Sequence, residues 1–379
     1  MSEQDGVFVK CAWRLIPFMV LLYIVNFIDR VNVGFAALTM NRDLNLSPAV
    51  YGFGAGAFFL GYSVFQIPAN IVLEKLGARR WIFCILAVWG AISAANALTQ
   101  GPASFYALRI LLGVAEAGFF PGMILYLGYW FPREYRARLV GIFMAAIPFA
   151  STVGGPLSSL ILQMDGTYGL RGWQWLFLLE GTPATVLAFA VLAFLPSSPN
   201  DAPWLNAEEK RIVAARLAAE TAAHEHNDLG PALGDIRVYA LGVVYFGYAM
   251  GAYGVQLWLP QIVQAMGFST LATGFVVAIP FIASMAAMIL WGRSSDARGE
   301  RIWHVALPAA VAVGGLLVAS LEPSNLAVFL ALSVVLVCLL ALQGPFWALP
   351  STFLGGTAAA GGIALVNTIG TTTVNCSDV

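Results

Sequence analysis

The residues best suited to chemistry are the few ionisable side chains that lie inside long apolar stretches. They are Asp29, Arg30, Arg109, Glu116 and Glu180. A charge in an apolar span is costly unless it lines a cavity or finds a partner, so each of these residues is a candidate functional residue. A guanidinium can donate two parallel hydrogen bonds to a carboxylate, and a buried carboxyl group can exchange a proton near neutral pH.

Helical spacing predicts which of these side chains share a face. Asn26 and Arg30 are four residues apart, and Arg109 and Glu116 are seven apart, which is two helical turns. The planar, permanently charged guanidinium makes Arg30 the predicted anion-binding residue. The alternative is that Arg30 extends toward the membrane surface or neutralises Asp29, although adjacent residues lie about 100° apart on a helix.

Proton exchange is assigned to carboxyl groups rather than to histidine. The three histidines, His224, His226 and His304, lie in or beside polar loops. We predict that Asp29 and Glu116 carry protons and that Arg109 stabilises the ionised form of one of them. The alternative is a buried Arg109–Glu116 ion pair with a purely structural role. Glu180 is interpreted as mainly structural.

The composition requires most of the chain to face lipid. Hydrophobic residues make up 59% of the 379 residues, the mean hydropathy is +0.79, and only 10% of residues are charged. Soluble domains carry about 25% charged residues, so a soluble globule is excluded. Ten apolar stretches are long enough to span a bilayer, which predicts an all-α polytopic membrane protein. They cover residues 15–38, 50–73, 80–99, 104–131, 138–163, 174–195, 238–265, 270–292, 302–320 and 325–349.

Basic residues predict the orientation of these spans. Of the 19 Lys and Arg residues, only Arg42 and Arg171 fall in loops on one side, and Arg30 and Arg109 lie within spans. Basic residues are retained in the cytoplasm, so the N-terminus and the central loop are predicted to be cytoplasmic. The first apolar run lacks a small-residue cleavage site and is predicted to be an uncleaved helix.

A long polar segment divides the chain into three parts. We predict an N-terminal bundle over residues 1–195, a cytoplasmic central loop over 196–237 and a C-terminal bundle over 238–379. Within the loop, residues 206–223 are predicted to form a helix on the membrane surface. Asn206 is its predicted N-cap, and Glu208 and Glu209 lie in its first turn.

Two loops, after the second and the eighth spans, repeat one pattern. The first runs from Asn70 to Arg80 and the second from Gly292 to Arg301, and each places an acidic residue four positions after its start. A basic residue, a glycine and a further arginine follow in each loop. The alternative explanation is that loops between membrane helices are often basic and glycine-containing. The charged residues concerned are Glu74, Lys75, Arg79, Arg80, Asp296, Arg298 and Arg301.

Aromatic and amide side chains within the spans are candidates to complete a pocket for an organic anion. They are Tyr62, Tyr253, Gln256, Gln343, Trp347 and Asn367. Each has the alternative of ordinary packing in an apolar bundle. Tyr245 and Tyr248 lie in the same span as Tyr253, and the sequence does not rank them.

Three further stretches resemble a known family. They run from Asn26 to Ala36 (NFIDRVNVGFA), from Arg109 to Gly122 (RILLGVAEAGFFPG) and from Gly172 to Gly181 (GWQWLFLLEG). Together with the two loops, they resemble the major facilitator superfamily and, within it, the anion:cation symporter family. The resemblance covers about residues 12–370. One departure is Asn70, which stands where the superfamily usually has glycine.

The resemblance implies two six-helix bundles that move around a central site, with proton-coupled uptake of a small organic anion. It gives the arginine matched by Arg30 the anion-binding role, with Asn26 in the same motif, and it gives the acids matched by Asp29 and Glu116 a protonation role. It also places Tyr62 at the cavity. The two charged loops are expected to form inter-helix ion pairs that hold the outward-open state and break on inward opening.

The C-terminal end departs from the family. Residues 356–370 resemble part of an eleventh helix, and the nine residues after Gly370 do not continue it. We therefore expect an incomplete C-terminal bundle, produced by a frameshift or misassembly or, less simply, by a genuinely shortened protein. The alternative function is accordingly a transport-inactive family member or a ligand sensor.

A further alternative is a proton antiporter for apolar compounds, which would not need Arg30. We expect no catalytic residues, metal, cofactor or nucleic-acid partner, because the sequence contains no nucleophile elbow, zinc motif or phosphate loop. The expected partners are the anion, protons and lipid, and we expect a monomer.

Overall fold

The computed structural model describes residues 3–222, 234–354, 362, 363 and 365–370. Every long regular element within these ranges is a helix. The first eight helices are α1 (Glu3–Asp43), α2 (Pro48–Leu76), α3 (Ala78–Ala95), α4 (Pro102–Glu116), α5 (Phe119–Gly128), α6 (Arg133–Leu162), α7 (Gly172–Phe194) and α8 (Ala207–Ala222). They are followed by α9 (Ile236–Ala265), α10 (Thr270–Arg298), α11 (Ile302–Leu321), α12 (Asn325–Ala348) and the short α13 (Pro350–Phe353).

Ten helical segments of the described chain are long and apolar enough to cross a membrane, which agrees with the ten predicted spans. They are α1, α2, α3, the α4–α5 pair, α6, α7, α9, α10, α11 and α12. Most packing lies within α1 to α7 or within α9 to α12, and the main contacts between the two halves are those of α6 with α10 and of α1 with α9. The predicted helix of the central loop is α8, and residues 371–379 lie outside the described residues.

Polar side chains begin several of these helices. Ser47 accepts a hydrogen bond from the Val50 amide before α2, and Ser269 does the same for Ala272 before α10, both at 3.2 Å. These bonds satisfy backbone donors that a helix leaves unpaired at its start. Such donors at a membrane surface would otherwise depend on water.

The predicted capping of α8 by Asn206 is present as a reciprocal pair. Asn206 and Glu209 each accept the other's backbone amide hydrogen, both at 2.8 Å. Glu209 also accepts from Lys10 Nζ at 2.8 Å, which ties α8 to the start of α1. The donation by Lys10 and by the Asn206 amide lowers the pKa of the Glu209 carboxyl group.

The fourth predicted span is not one continuous helix, because it is broken between Glu116 and Phe119. Pro121 has no N–H with which to bond the Ala117 carbonyl, so the helical ladder is interrupted there. The indole of Trp81 lies against Gly118 and donates to its carbonyl oxygen at 3.1 Å. A Cβ atom on Gly118 would lie 2.7 Å from that ring, so only glycine allows this approach. The break places Glu116 at the last turn of α4.

Helices α2 and α4 pack so closely that their backbones are almost in contact. A Cβ atom added to Gly113 of α4 would lie 1.9 Å from the carbonyl oxygen of Phe58 on α2. This close contact sets the position of Phe58 and of Tyr62 relative to Arg109 and Glu116. Small residues at helix interfaces permit such backbone contact in membranes.

The two halves of the molecule touch at the end where α1 finishes. Tyr51 donates a hydrogen bond to the Leu257 carbonyl oxygen at 2.9 Å, and Asn41 donates to the side chain of Gln261 at 3.4 Å. Helices α6 and α10 also meet there, because a Cβ atom added to Gly155 of α6 would lie 2.8 Å from the carbonyl oxygen of Gly274 on α10. The halves are therefore closed together at this end.

We expect Gly113→Ala to destabilise the protein, because the added methyl group must push α2 away from α4. Overpacking of this kind costs about 1–3 kcal/mol. The melting temperature in a fixed detergent should fall accordingly. The matched control is Gly141→Ala on α6, where an added Cβ meets nothing within 4 Å. An equal melting temperature for the two variants would contradict this account of the α2–α4 contact.

Candidate functional site

A buried ion pair between α1 and α4 lies at the centre of the candidate site. Arg30 Nη2 lies 2.7 Å from Glu116 Oε2, and Arg30 Nε lies 3.3 Å from the same oxygen. Asn26, on the same face of α1, donates to this oxygen at 2.9 Å. The Glu116 side chain is 0% exposed and that of Arg30 is 13% exposed, so Arg30 is the member of the pair that an incoming ligand can reach.

Aromatic rings surround the Arg30 guanidinium. Its centre lies 5.3 Å from the Phe58 ring centroid and 5.1 Å from that of Tyr62, both on α2. Its Nη1 donates to the Tyr253 hydroxyl on α9 at 3.3 Å. The predicted residues Asn26, Arg30, Tyr62 and Tyr253 are thus in one cluster, which joins the first half of the chain to the second. Cations over aromatic faces are stabilised in this geometry.

The structure corrects the predicted partner of Glu116. The alternative interpretation paired Arg109 with Glu116, and the structure pairs Glu116 with Arg30 instead. Arg109 is 1% exposed and its guanidinium lies 5.1 Å from the Phe58 ring centroid. Its Nε and Nη1 have no hydrogen-bond partner among the described residues. Arg109 lies near enough to interact electrostatically with both Asp29 and Glu116.

Asp29 points away from Arg30 and into the bundle. It accepts hydrogen bonds from Trp89 Nε1 at 2.5 Å, from Asn32 Nδ2 at 3.0 Å and from the Ser93 hydroxyl. The sequence analysis missed Trp89 and Ser93. Because they are four residues apart on α3, the sequence places two hydrogen-bond donors on one face of this helix, and this pattern could have identified them.

A second cluster lies on the C-terminal half. Gln343 of α12 donates to the Tyr248 hydroxyl of α9, and the ring of Trp347 packs edge-on against that of Tyr245 at 4.8 Å between centroids. Tyr245 and Tyr248, which the sequence did not rank, also stack on each other at 5.4 Å. This cluster is aromatic with amide and hydroxyl groups at its edge, which suits the apolar and hydroxylated parts of a small solute.

The two remaining pocket candidates are Gln256, whose backbone lies beside Gly34 of α1, and Asn367. Gln256 of α9 is 6% exposed, and its Oε1 has no partner among the described residues. Asn367 lies in the helical segment 365–370. Ile369 in that segment packs against Gly242 of α9, so the segment lies beside the helix that carries Tyr253.

The residues of the two charged loops make contacts between neighbouring helices. Asp296 at the end of α10 lies 2.6 Å from Arg301, the residue before α11. Arg79 of α3 donates to the Leu192 carbonyl oxygen of α7 and to Ser197. Lys75, Arg80 and Arg298 are exposed, and the side chain of Glu74 lies outside the described residues.

His304, predicted to lie near a loop away from the cavity, lies in the first turn of α11 and is buried against the second charged loop. Its Nδ1 lies 2.9 Å from Glu300 and its Nε2 lies 3.2 Å from Ser294. Burial alone would raise the pKa of Glu300, but donation from the Trp303 and His304 amides and from the His304 ring lowers it. The histidine therefore holds the turn between α10 and α11 together. No group of three His, Cys, Asp or Glu side chains in the described ranges could hold a metal ion.

The helical segments that cross a membrane and the charged cluster between the two halves define a polytopic membrane transporter. The sequence matches the model of the Major Facilitator Superfamily over residues 19–373. The chain belongs to the major facilitator superfamily. Its relatives are transporters and not enzymes.

Relatives in this family share most of the chain. It is 48% identical to a protein of Agrobacterium vitis named putative tartrate transporter, over 97% of this chain and 85% of that protein. It is 40% identical to a quinolone resistance transporter of Acinetobacter baumannii, over 98% of this chain and 86% of that protein. The solved structure of a bacterial homologue of the human lysosomal transporter Spinster, inward-facing and occupied, matches with a TM-score of 0.75 at 17% identity. That match covers 95% of this chain and 79% of the other and shows the fold.

We expect Trp89→Phe to cost more stability than Trp81→Phe. Both variants lose one indole donor, but Trp89 donates to a carboxyl group and Trp81 to a neutral backbone carbonyl. Hydrogen bonds to charged groups contribute about 1.5–3 kcal/mol and ordinary ones about 0.5–1.5 kcal/mol. The comparison is the fall in melting temperature of the two purified variants in the same detergent. A larger fall for Trp81→Phe would show that Asp29 is not held by its donors.

Proposed function

We propose that this protein takes up a small organic anion together with protons, by alternating access across the bacterial inner membrane. The observation that carries the proposal is the Arg30–Glu116 pair beside Tyr253, between the two halves of the chain. Arg30 is the partly accessible cation. A carboxylate ligand can accept the two hydrogen bonds that Arg30 now donates to Glu116. The relative named putative tartrate transporter supports a hydroxylated carboxylate as the solute.

Protonation of Glu116 is the step that releases Arg30 for the substrate. Oε2 of Glu116 accepts all three donors, whereas Oε1 has no partner among the described residues and is free to take a proton. A neutral carboxyl group holds a guanidinium far less strongly than a carboxylate does. Uptake of a proton by Glu116 and binding of the anion by Arg30 are therefore coupled through the carboxyl group of Glu116. Asp29 is the second proposed proton carrier, and Arg109 compensates its ionised form.

The moving parts are the bundles of residues 1–195 and 238–379, joined by the loop 196–237. With the N-terminus in the cytoplasm, the end closed by the Tyr51–Leu257 and Gly155–Gly274 contacts faces the outside. The contacts of Arg79 and the Asp296–Arg301 pair join neighbouring helices of the same half at the proposed cytoplasmic end, and the pair is formed while the outer end is closed, so the gating role of the two charged loops stays a prediction. Gln343, Trp347, Gln256 and Asn367 are proposed to line the solute site on the C-terminal side.

Export of a drug is the second candidate, favoured by the relative named quinolone resistance transporter. Quinolones also carry a carboxylate that Arg30 could bind, so the two functions are distinguished by which solute the protein exchanges. Purified protein in liposomes, assayed by counterflow with radiolabelled L-tartrate and with a quinolone, separates them. Exchange of the quinolone alone would refute the uptake proposal.

We expect Arg30→Ala to abolish tartrate counterflow while the protein still inserts in the membrane. The variant loses two charge-assisted hydrogen bonds to the anion, each worth about 1.5–3 kcal/mol. Arg42→Ala is the matched control, because Arg42 is 82% exposed and lies in the last turn of α1, away from Glu116. Counterflow by Arg30→Ala at the rate of the unmodified protein would remove Arg30 from the binding site.

We expect Glu116→Gln to uncouple transport from protons. The amide keeps the shape of the side chain but cannot exchange a proton, so counterflow should persist while a pH gradient no longer drives accumulation. Both quantities are measured on the same proteoliposomes. Gradient-driven accumulation at the level of the unmodified protein would show that Glu116 is not a proton carrier.

A further inference from the structure

The charged residues in the interior of the apolar stretches all lie in the N-terminal half of the chain. They are Asp29 and Arg30 on α1, Arg109 and Glu116 on α4, and Glu180 on α7. In the C-terminal half, residues 238–292 contain no acidic or basic side chain, and no Lys or Arg follows Arg301. Apart from Arg237 in its first turn, α9 carries no charged residue, and α12 carries none. The side that these two helices offer to a solute is therefore uncharged.

Of the two cations in this interior, only Arg30 is open to a solute. Its side chain is 13% exposed, whereas Arg109 is 1% exposed and lies against the Phe58 ring. The next cation along α1 toward the outer end is Arg42, twelve residues or about 18 Å away. A carboxylate that binds Arg30 therefore takes the one cation that this part of the molecule offers.

Tyrosine side chains connect Arg30 to the cluster on the C-terminal half. Arg30 Nη1 donates to the Tyr253 hydroxyl at 3.3 Å. Tyr253 lies near enough to Tyr248 to interact with it electrostatically, and the Tyr248 hydroxyl accepts a hydrogen bond from Gln343. Tyr23 of α1 is within the same range of Arg30, Tyr253 and Tyr248. A small solute whose carboxylate binds Arg30 therefore directs its other end toward Tyr248 and Gln343.

The far end of such a solute meets neutral groups, which are the Tyr248 hydroxyl, the Gln343 amide and the Tyr245 ring. The nearest cation along α9 is Arg237, eight residues or about 12 Å before Tyr245, and it is paired with Asp235 at 2.7 Å. Hydroxyl groups of a solute can form hydrogen bonds at this end. A second carboxylate would be buried there without a cation, which is far less favourable than the burial of a neutral group.

We propose that the site accepts a solute with a single negative charge. A hydroxylated monocarboxylate fits as it is, and a dicarboxylate is bound only after one of its two carboxyl groups has taken a proton from water. The solute is thus selected by its charge, because one half of the molecule supplies a cation and the other half supplies none. This inference rests on the proposed uptake of an organic anion.

Counterflow of two matched acids tests this selectivity on the unmodified protein. L-Threonate has the skeleton of L-tartrate with one carboxyl group replaced by a neutral hydroxymethyl group. Carboxylic acids ionise at about pH 4, so between about pH 5 and 7 the singly charged form of tartrate decreases about tenfold per pH unit, while threonate stays singly charged. The ratio of the threonate rate to the tartrate rate, well below saturation, should therefore increase about tenfold per pH unit.

Both acids are measured on the same proteoliposomes at each pH, so that titration of the protein itself cancels in the ratio. Equal rates for the two acids at neutral pH would overturn the inference and leave the uptake proposal standing, and so would a ratio that does not change with pH. Exchange of neither acid would refute the uptake proposal, and the inference would fail with it.

Gln343→Lys tests where the far end of the solute lies. A lysine there provides a cation for the second carboxylate, so the threonate-to-tartrate ratio at neutral pH should fall by about tenfold or more. Gln264→Lys is the matched control, because Gln264 lies in the last turn of α9 and contacts Thr270 at the start of α10. An unchanged ratio in a Gln343→Lys protein that still exchanges threonate would overturn the inference. If Gln343→Lys does not fold, the pH series on the unmodified protein decides the matter.

Discussion

The cost of holding charge in a membrane interior governs the arrangement of this molecule. Glu116 is fully buried, and it is tolerated because Arg30 and Asn26 bring three donors to one of its oxygens. Breaking such a pair without a replacement leaves an uncompensated charge that costs about 3–5 kcal/mol. In the proposed mechanism, an anion that binds Arg30 arrives with a proton for Glu116, because the exchange is otherwise unfavourable. The proposed coupling therefore follows from the cost of desolvating charge.

The helix packing positions the Arg30–Glu116 pair. The backbone contact of Gly113 with α2 brings the Phe58 and Tyr62 rings under the guanidinium, and the break at Gly118 ends α4 directly after Glu116. The Trp81 indole fills the space beside Gly118 and adds a hydrogen bond to its carbonyl oxygen, so the irregular backbone is covered by protein. The position of Glu116 thus depends on local breaks that a regular helix would not provide.

The ten spans and the Asn206 cap of α8 were predictable, because hydropathy and capping chemistry are local properties of the chain. The shared face of Asn26 and Arg30 was predictable for the same reason. The partner of Glu116 was not, since spacing within α4 places Arg109 on the same face but says nothing about which helix lies opposite. The donors Trp89 and Ser93, the burial of His304 and the break in the fourth span depend on contacts distant in sequence, such as that of Trp81 with Gly118.

Three acids buried in one bundle are compensated in three different ways. Glu116 has a guanidinium, Asp29 has neutral donors and a more distant cation, and Glu180 has one hydroxyl. The free energy of ionisation therefore increases along this series, from the centre of the molecule toward the end that is closed. A proton is consequently held most firmly by Glu180 and least firmly by Glu116, whose ionised form is stabilised by Arg30. In the proposed mechanism, Glu116 therefore keeps a proton only when an anion has taken its place beside Arg30.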